Sequence, residues 1–231
     1  MILIVDCYLD EAGGTANFAR QLGELSWTSV RPTREALPKK YDWSAVLITG
    51  SGACLADNYE GEGLREGWTK ELIEWVKVVV EHGTPLLGVC FGHQILGAAF
   101  GGGVRKALVP EVGFKTISVH EEDDLFVDLY PSFTCFVSHE DEVIPGGKLQ
   151  ILASTPDCAV QGVRLPGKQV WGVQFHAEML LDEAKSLLIY RKNKHAMLDV
   201  DLEEELKKSE ESVSIAPTLF GRFLELTGCA R

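Results

Sequence analysis

The sequence is short of positive charge. It carries 22 lysines and arginines against 34 acidic residues, a net charge of −12, and no segment forms a basic stripe. Nucleic acid is therefore not an expected partner. The acidic excess sits in short runs such as Glu121 to Asp124 and Asp199 to Glu205, which suits a solvated surface. No apolar run approaches the ~20 residues of a bilayer-spanning helix, so no membrane association is expected. The opening Met1-Ile2-Leu3-Ile4-Val5-Asp6 lacks the basic flank and small-residue cleavage site of a signal peptide. The six cysteines (7, 54, 90, 135, 158 and 229) form no C-x-x-C pair and no zinc spacing. Reduced thiols in a cytoplasmic protein are the expectation. Repeats and a convincing linker are also missing, so residues 1–231 read as a single domain.

What is present alternates. Residues 1–6, 45–49 and 86–89 are short apolar runs of buried-strand type. Between them, 15–25 carries Phe18, Leu22 and Leu25 at helical spacing, and 67–81 carries Trp68, Leu72, Trp75, Val76 and Val79 as one apolar stripe. Gly83 and Pro85 punctuate the end of that second helix. A compact helix is expected over 91–100. The β-α-β-α order predicts an α/β fold, a three-layer sandwich of flavodoxin-like type around a mostly parallel central sheet. Beyond residue 104 the pattern changes to strands without long helices between them, at 113–119, 133–138, 149–153, 159–165 and 169–175, which predicts antiparallel additions. The stretch at about 182–212 reads as a charged, partly helical excursion that buries little, a candidate lid or docking element. A last helix is expected near 217–227.

Two segments carry chemistry. In Gly88-Val89-Cys90-Phe91-Gly92 an apolar strand runs into G-x-C-x-G and a helix starts at once, the form of a nucleophile elbow with cysteine in place of serine. The glycines clear side chains from a strained turn, and a helix N-terminus favours thiolate over thiol. The Phe91 amide could bind an oxyanion from the same position. A structural cysteine in a glycine-rich turn fits the segment by itself equally well. The second segment, Gln174-Phe175-His176-Ala177-Glu178, follows an alternating strand. With His176 and Glu178 at i and i+2, the carboxylate can lie beside the imidazole, fix its tautomer and stabilise its cation.

Together, in this order and spacing, Gly88-Val89-Cys90-Phe91-Gly92-His93-Gln94 and Gln174-Phe175-His176-Ala177-Glu178 resemble the class I (triad) glutamine amidotransferase family, most of all free-standing relatives of the GMP synthetase glutaminase domain. The resemblance runs from the first strand to about residue 180. It implies Cys90 as nucleophile and His176 and Glu178 as the rest of a triad. It also places Gly50 and Gly52 of Ile48-Thr49-Gly50-Ser51-Gly52 at the γ-carboxamide, with the Gly52 amide beside that of Phe91 as oxyanion donors. Gln94 falls at a substrate-contacting position. Ser138-His139-Glu140-Asp141 resembles the segment whose backbone meets the amino-acid end of glutamine.

The implied reaction is hydrolysis of the glutamine γ-amide through a γ-glutamyl thioester, releasing glutamate and ammonia, with no metal or organic cofactor required. The ammonia would feed a separate synthetase, or the protein would act alone. Two other functions stay open: a γ-glutamyl peptidase for glutathione-like compounds, and a catalytically silent regulatory scaffold. One departure from the family pattern is Ala177, where proline is usual between the histidine and the glutamate.

Overall fold

The computed structural model describes residues 1–56, 67–194, 201–211 and 215–229. Its frame is one nine-stranded sheet in the order β2-β1-β3-β4-β9-β8-β7-β5-β6. The strands β1 (Ile2–Val5), β2 (Trp27–Val30), β3 (Ala45–Ile48), β4 (Leu86–Val89) and β9 (Val170–Val173) are mutually parallel. Antiparallel pairing then continues through β8 (Gly162–Arg164), β7 (Gln150–Ser154), β5 (Val104–Val119) and β6 (Ser132–Val143).

The parallel strands β1, β3, β4 and β9 are buried along their whole length because helices cover both faces. Alternate residues divide between two cores. Ile2, Ile4, Leu47, Val89 and Trp171 pack under α1 (Thr15–Leu22) and α6 (Ala216–Leu226), where Phe18 and Phe220 meet edge to face at 5.8 Å. Leu3, Val5, Ile48, Leu86 and Val170 pack under α2 (Gly67–Glu81) and α3 (Phe91–Phe100). On α2 the buried Leu72, Trp75, Val76 and Val79 form the expected stripe. The helix ends where Gly83, at φ 80°, returns its amide to Val80 O and Thr84 bonds Val79 O.

The expected α/β sandwich is present, with several boundaries moved. β2 was not legible, since three of its four residues are not buried and it gives no apolar run. β5 and β6 are longer than expected. Their register shifts between Lys106 and Glu111, and this bulge turns Glu111 into the interior. β9 stops at Val173 rather than 175, and β8 covers only three residues.

The stretch at about 182–212 departs most from expectation. It contains two helices, α4 (Leu181–Lys194) and α5 (Leu202–Glu211), and residues 195–200 and 212–214 lie outside the described residues. It does not bury little. Ala184 and Leu188 pack on Val112, Phe114 and Phe136 of the antiparallel half. Glu205 is buried and accepts the Phe114 amide, an approach open only because Gly113 has no Cβ. α4 is also tied to α1 by Arg20 and Glu183 at 3.1 Å.

Candidate active site

The chemistry gathers at the carboxyl ends of β1, β3, β4 and β9, where open α/β sheets place their ligands. β4 delivers Cys90 at φ 51°, the sole non-glycine residue with positive φ among the described residues. That conformation costs of order 1–3 kcal/mol and is held from several sides. The Cys90 amide donates to Val173 O at 2.7 Å, the Gly92 amide to Thr49 O at 3.1 Å and the Gln94 amide to Cys90 O at 3.0 Å. Both elbow glycines are required by close packing. A Cβ on Gly88 would lie 2.5 Å from the Gly92 carbonyl, and one on Gly92 would lie 2.5 Å from Ile48 O. Cys90 is the N-cap of α3, so Phe91 stands at its first position with its amide at the N-terminal end.

His176 lies past the end of β9, not on it, and its amide donates to Phe136 O at 2.8 Å. Its Nδ1 is 2.8 Å from Glu178 Oε1, with both side chains buried. The bend that carries this pair holds without the proline of the family pattern, and Ala177 fills the space as a buried core residue. Burial works against the His176 cation. The charges of Glu178 and Cys90, and hydrogen bonds with both, outweigh it and hold the imidazole well above the ordinary histidine value. The other histidine near the elbow behaves oppositely. His93 is fully buried, its Nε2 lies 3.1 Å from Val160 O, and burial lowers its pKa to about 4, so it stays neutral and structural.

Cys90 and His176 open into a cavity of about 350 Å³. Gly52, Gln94, Ser138, His139, Glu140 and Asp141 also line it. Glu178, Gly50 and Phe91 stand behind its wall: Glu178 against the far side of the imidazole, Gly50 between His176 and Cys90, Phe91 with its ring on Trp68. The four residues of the Ser138 to Asp141 segment do different things. Ser138 O lies 4.0 Å from Cys90 Sγ. His139 turns away, with Nε2 on Glu111 at 3.1 Å and Nδ1 on Asp141 O at 3.0 Å. The Asp141 carboxylate accepts the Leu55 and Ala56 amides at 2.7 and 2.9 Å and so fastens the loop after β3. Glu140 pairs with Arg191 of α4 at 2.9 Å. Gln94 donates to Asp141 O at 3.1 Å and to Gln174 Oε1 at 3.3 Å.

Among the cavity-lining residues that sequence reasoning missed are Tyr8 after β1, and Leu187, Tyr190 and Arg191 of α4. Tyr8 had a signal, its place just past the carboxyl end of a central strand. The α4 residues had none, because their stretch read as solvated.

Comparison with known proteins gives the family. The family model for glutamine amidotransferase class-I matches residues 3–196. One subunit of the glutamine-hydrolysing GMP synthase of Sulfolobus acidocaldarius is 42% identical over 139 residues, 60% of this chain and 69% of that one. The corresponding subunit of Methanococcus maripaludis is 43% identical over 96 residues, 41% of this chain and 51% of its own. The glutamine-hydrolysing GMP synthase of Aeropyrum pernix matches at 32% over 183 residues, 77% of this chain but 33% of that longer one. A glutamine amidotransferase of Thermotoga maritima shares the fold at a TM-score of 0.79 and 17% identity, over 98% of this chain and 96% of that one. With the family model spanning both the cysteine elbow and the histidine–glutamate pair, this chain belongs to the class-I glutamine amidotransferase family.

Proposed function

We propose that the protein hydrolyses the γ-amide of glutamine through a thioester on Cys90, and that the ammonia released serves a separate synthetase chain. The observation that carries this reading is His176, held by Glu178 at 2.8 Å on one side and meeting Cys90 across Gly50 on the other, at the wall of one cavity. The partner follows from the Sulfolobus acidocaldarius and Methanococcus maripaludis relatives, each named as one subunit of a glutamine-hydrolysing GMP synthase.

In the first half-reaction the Cys90 sulfur attacks the carbonyl carbon of the γ-carboxamide and the carbonyl oxygen becomes an oxyanion. The amides of Phe91 and Gly52 are its donors, one at a helix N-terminus and the other on the glycine loop after β3. His176 gives its proton to the departing nitrogen, and ammonia leaves. Water then adds its oxygen to the thioester carbon and its proton to His176. The C–S bond breaks and the sulfur departs as thiolate. Glu178 stabilises the imidazolium in both halves and takes no proton itself. Gln94 and the backbone of 138–141 form the wall that receives the amino-acid end of glutamine.

The test is release of ammonia and glutamate from glutamine by the wild-type protein, and by Cys90→Ser. The hydroxyl is nearly isosteric but far less acidic, so a loss of about 10⁶-fold is expected with the fold intact. The same assay on glutathione measures the peptidase activity. Glutamate from glutathione without ammonia from glutamine would replace the glutaminase reading with that one. Near-native turnover by Cys90→Ser would remove Cys90 from the chemistry.

A further inference from the structure

Tyr8 occupies a slot built for it. Its backbone amide donates to Asp6 Oδ1 at 3.1 Å. The same buried carboxylate accepts the Gly14 amide at 3.0 Å, the Thr15 hydroxyl at 2.8 Å and Arg31 Nη2 at 2.9 Å. One side chain thus ties down both ends of the 7–14 loop. The phenol ring lies against Gly14, where a Cβ would come within 2.5 Å of its Cε2. Its hydroxyl reaches Gly50. A Cβ there would stand 3.2 Å from Tyr8 Oη, 3.2 Å from His176 Cε1 and 3.7 Å from Cys90 Cβ. Two glycines therefore shape the slot, and the hydroxyl flanks the same small volume as the imidazole and the nucleophile. Tyr8 faces the cavity, and among the described residues its hydroxyl has no hydrogen-bond partner. Burial, followed by the nearby charges of Glu178 and Cys90, pushes the phenol well above its ordinary pKa, so it remains neutral.

We propose that Tyr8 is a further catalytic residue, whose hydroxyl hydrogen-bonds the group exchanged at the carboxamide carbon: the ammonia that leaves and the water that takes its place. This rests on the amide-hydrolysis reading above. The oxyanion donors lie on the Phe91 and Gly52 amides, so the hydroxyl beside His176 is on the side where the nitrogen departs and water enters. As water attacks, one of its protons goes to His176 and the second is donated in a hydrogen bond to the Tyr8 oxygen. The attacking lone pair is then aimed at the thioester carbon. A hydroxyl can both accept and donate, so it also holds the protonated leaving nitrogen before ammonia escapes.

The test is Tyr8→Phe, which keeps the ring in its slot and removes only the oxygen. Steady-state glutaminase turnover is compared with the rate at which a chloroketone analogue of glutamine alkylates Cys90, a step that uses no water and releases no ammonia. The expected result is a fall in kcat of about tenfold to a hundredfold with KM within about twofold. The alkylation rate should be unchanged. A kcat within twofold of wild type, a rise confined to KM, or alkylation falling in step with kcat would each overturn the assignment. The last of these would make Tyr8 a packing residue for Cys90. A wild-type protein that alkylates but does not hydrolyse glutamine would instead sink the glutaminase reading, so the two failures are distinguishable.

Discussion

Glu178→Gln isolates the charge on which the proposed triad depends. The carboxylate lies 2.8 Å from His176 Nδ1, with the two side chains 0% and 5% exposed. Its other oxygen, Oε2, is buried without a hydrogen-bond partner among the described residues, so the imidazolium is the main compensation for the charge. A hydrogen bond to a charged group contributes about 1.5–3 kcal/mol, or about a tenfold to 150-fold change in rate. The substitution can also misplace a proton. If the amide NH₂ faces Nδ1, the neutral ring takes the wrong tautomer, a fault that costs about 10⁴-fold in a serine triad. We therefore expect kcat/KM to fall by about 10²-fold or more, but by less than for His176→Ala. The pH profile supplies the sign. Glu178 favours protonated His176, and its loss lowers the histidine pKa. The group that must protonate the departing nitrogen then deprotonates earlier as pH rises, so the alkaline limb of kcat/KM moves to lower pH. Stopped-time ammonia assays across the pH range, with circular dichroism to confirm folding, measure both effects. Activity within about threefold of wild type with an unmoved alkaline limb would refute the charge argument and leave Glu178 a structural role.

Two further outcomes concern the parts that frame the site. Leu188→Ala removes a fully buried side chain from the contact of α4 with β5 and β6. It should cost about 2–5 kcal/mol in urea unfolding and raise KM, because Leu187, Tyr190 and Arg191 on that helix line the cavity. A wild-type unfolding midpoint would show that α4 is not held by this cluster. Asp6→Asn should cost about 1–3 kcal/mol at neutral pH by weakening the network that fixes the 7–14 loop. Burial disfavours the Asp6 charge, but Arg31, Gly14, Thr15 and Tyr8 outweigh it and depress the pKa. The contribution is then complete above the ordinary value of 3.8 and is lost as pH falls through the depressed one. The gap between wild type and variant should close on acidification, and a gap independent of pH would contradict this.

Legibility followed the range of the interaction. The cysteine elbow could be read because its requirements lie within five consecutive residues: two glycines for clearance, a cysteine, and a helix that starts at once. The histidine–glutamate pair could be read because its members stand two positions apart, although the bend after β9, not the strand, brings them together. The Ser138 to Asp141 segment was located but its side chains were not. Whether His139 faces substrate or Glu111 depends on a bulge in a neighbouring strand. The same limit hid the packing of the stretch after His176 and Glu178. Its low hydrophobicity suggested a solvated excursion, yet a few apolar side chains suffice to dock α4 when a groove is already present.

By itself the sequence determined the alternation of strand and helix, the parallel core and the three residues proposed as the triad. These depend on apolar periodicity and on chemistry between near neighbours in the chain. The tertiary structure alone decided which side chains enclose the cavity. Tyr8 meets His176 across Gly50, Asp141 fastens the loop after β3, and Arg191 reaches Glu140 from α4. Each of these contacts joins residues far apart in the chain, and their meeting is set by how helices settle on a finished sheet.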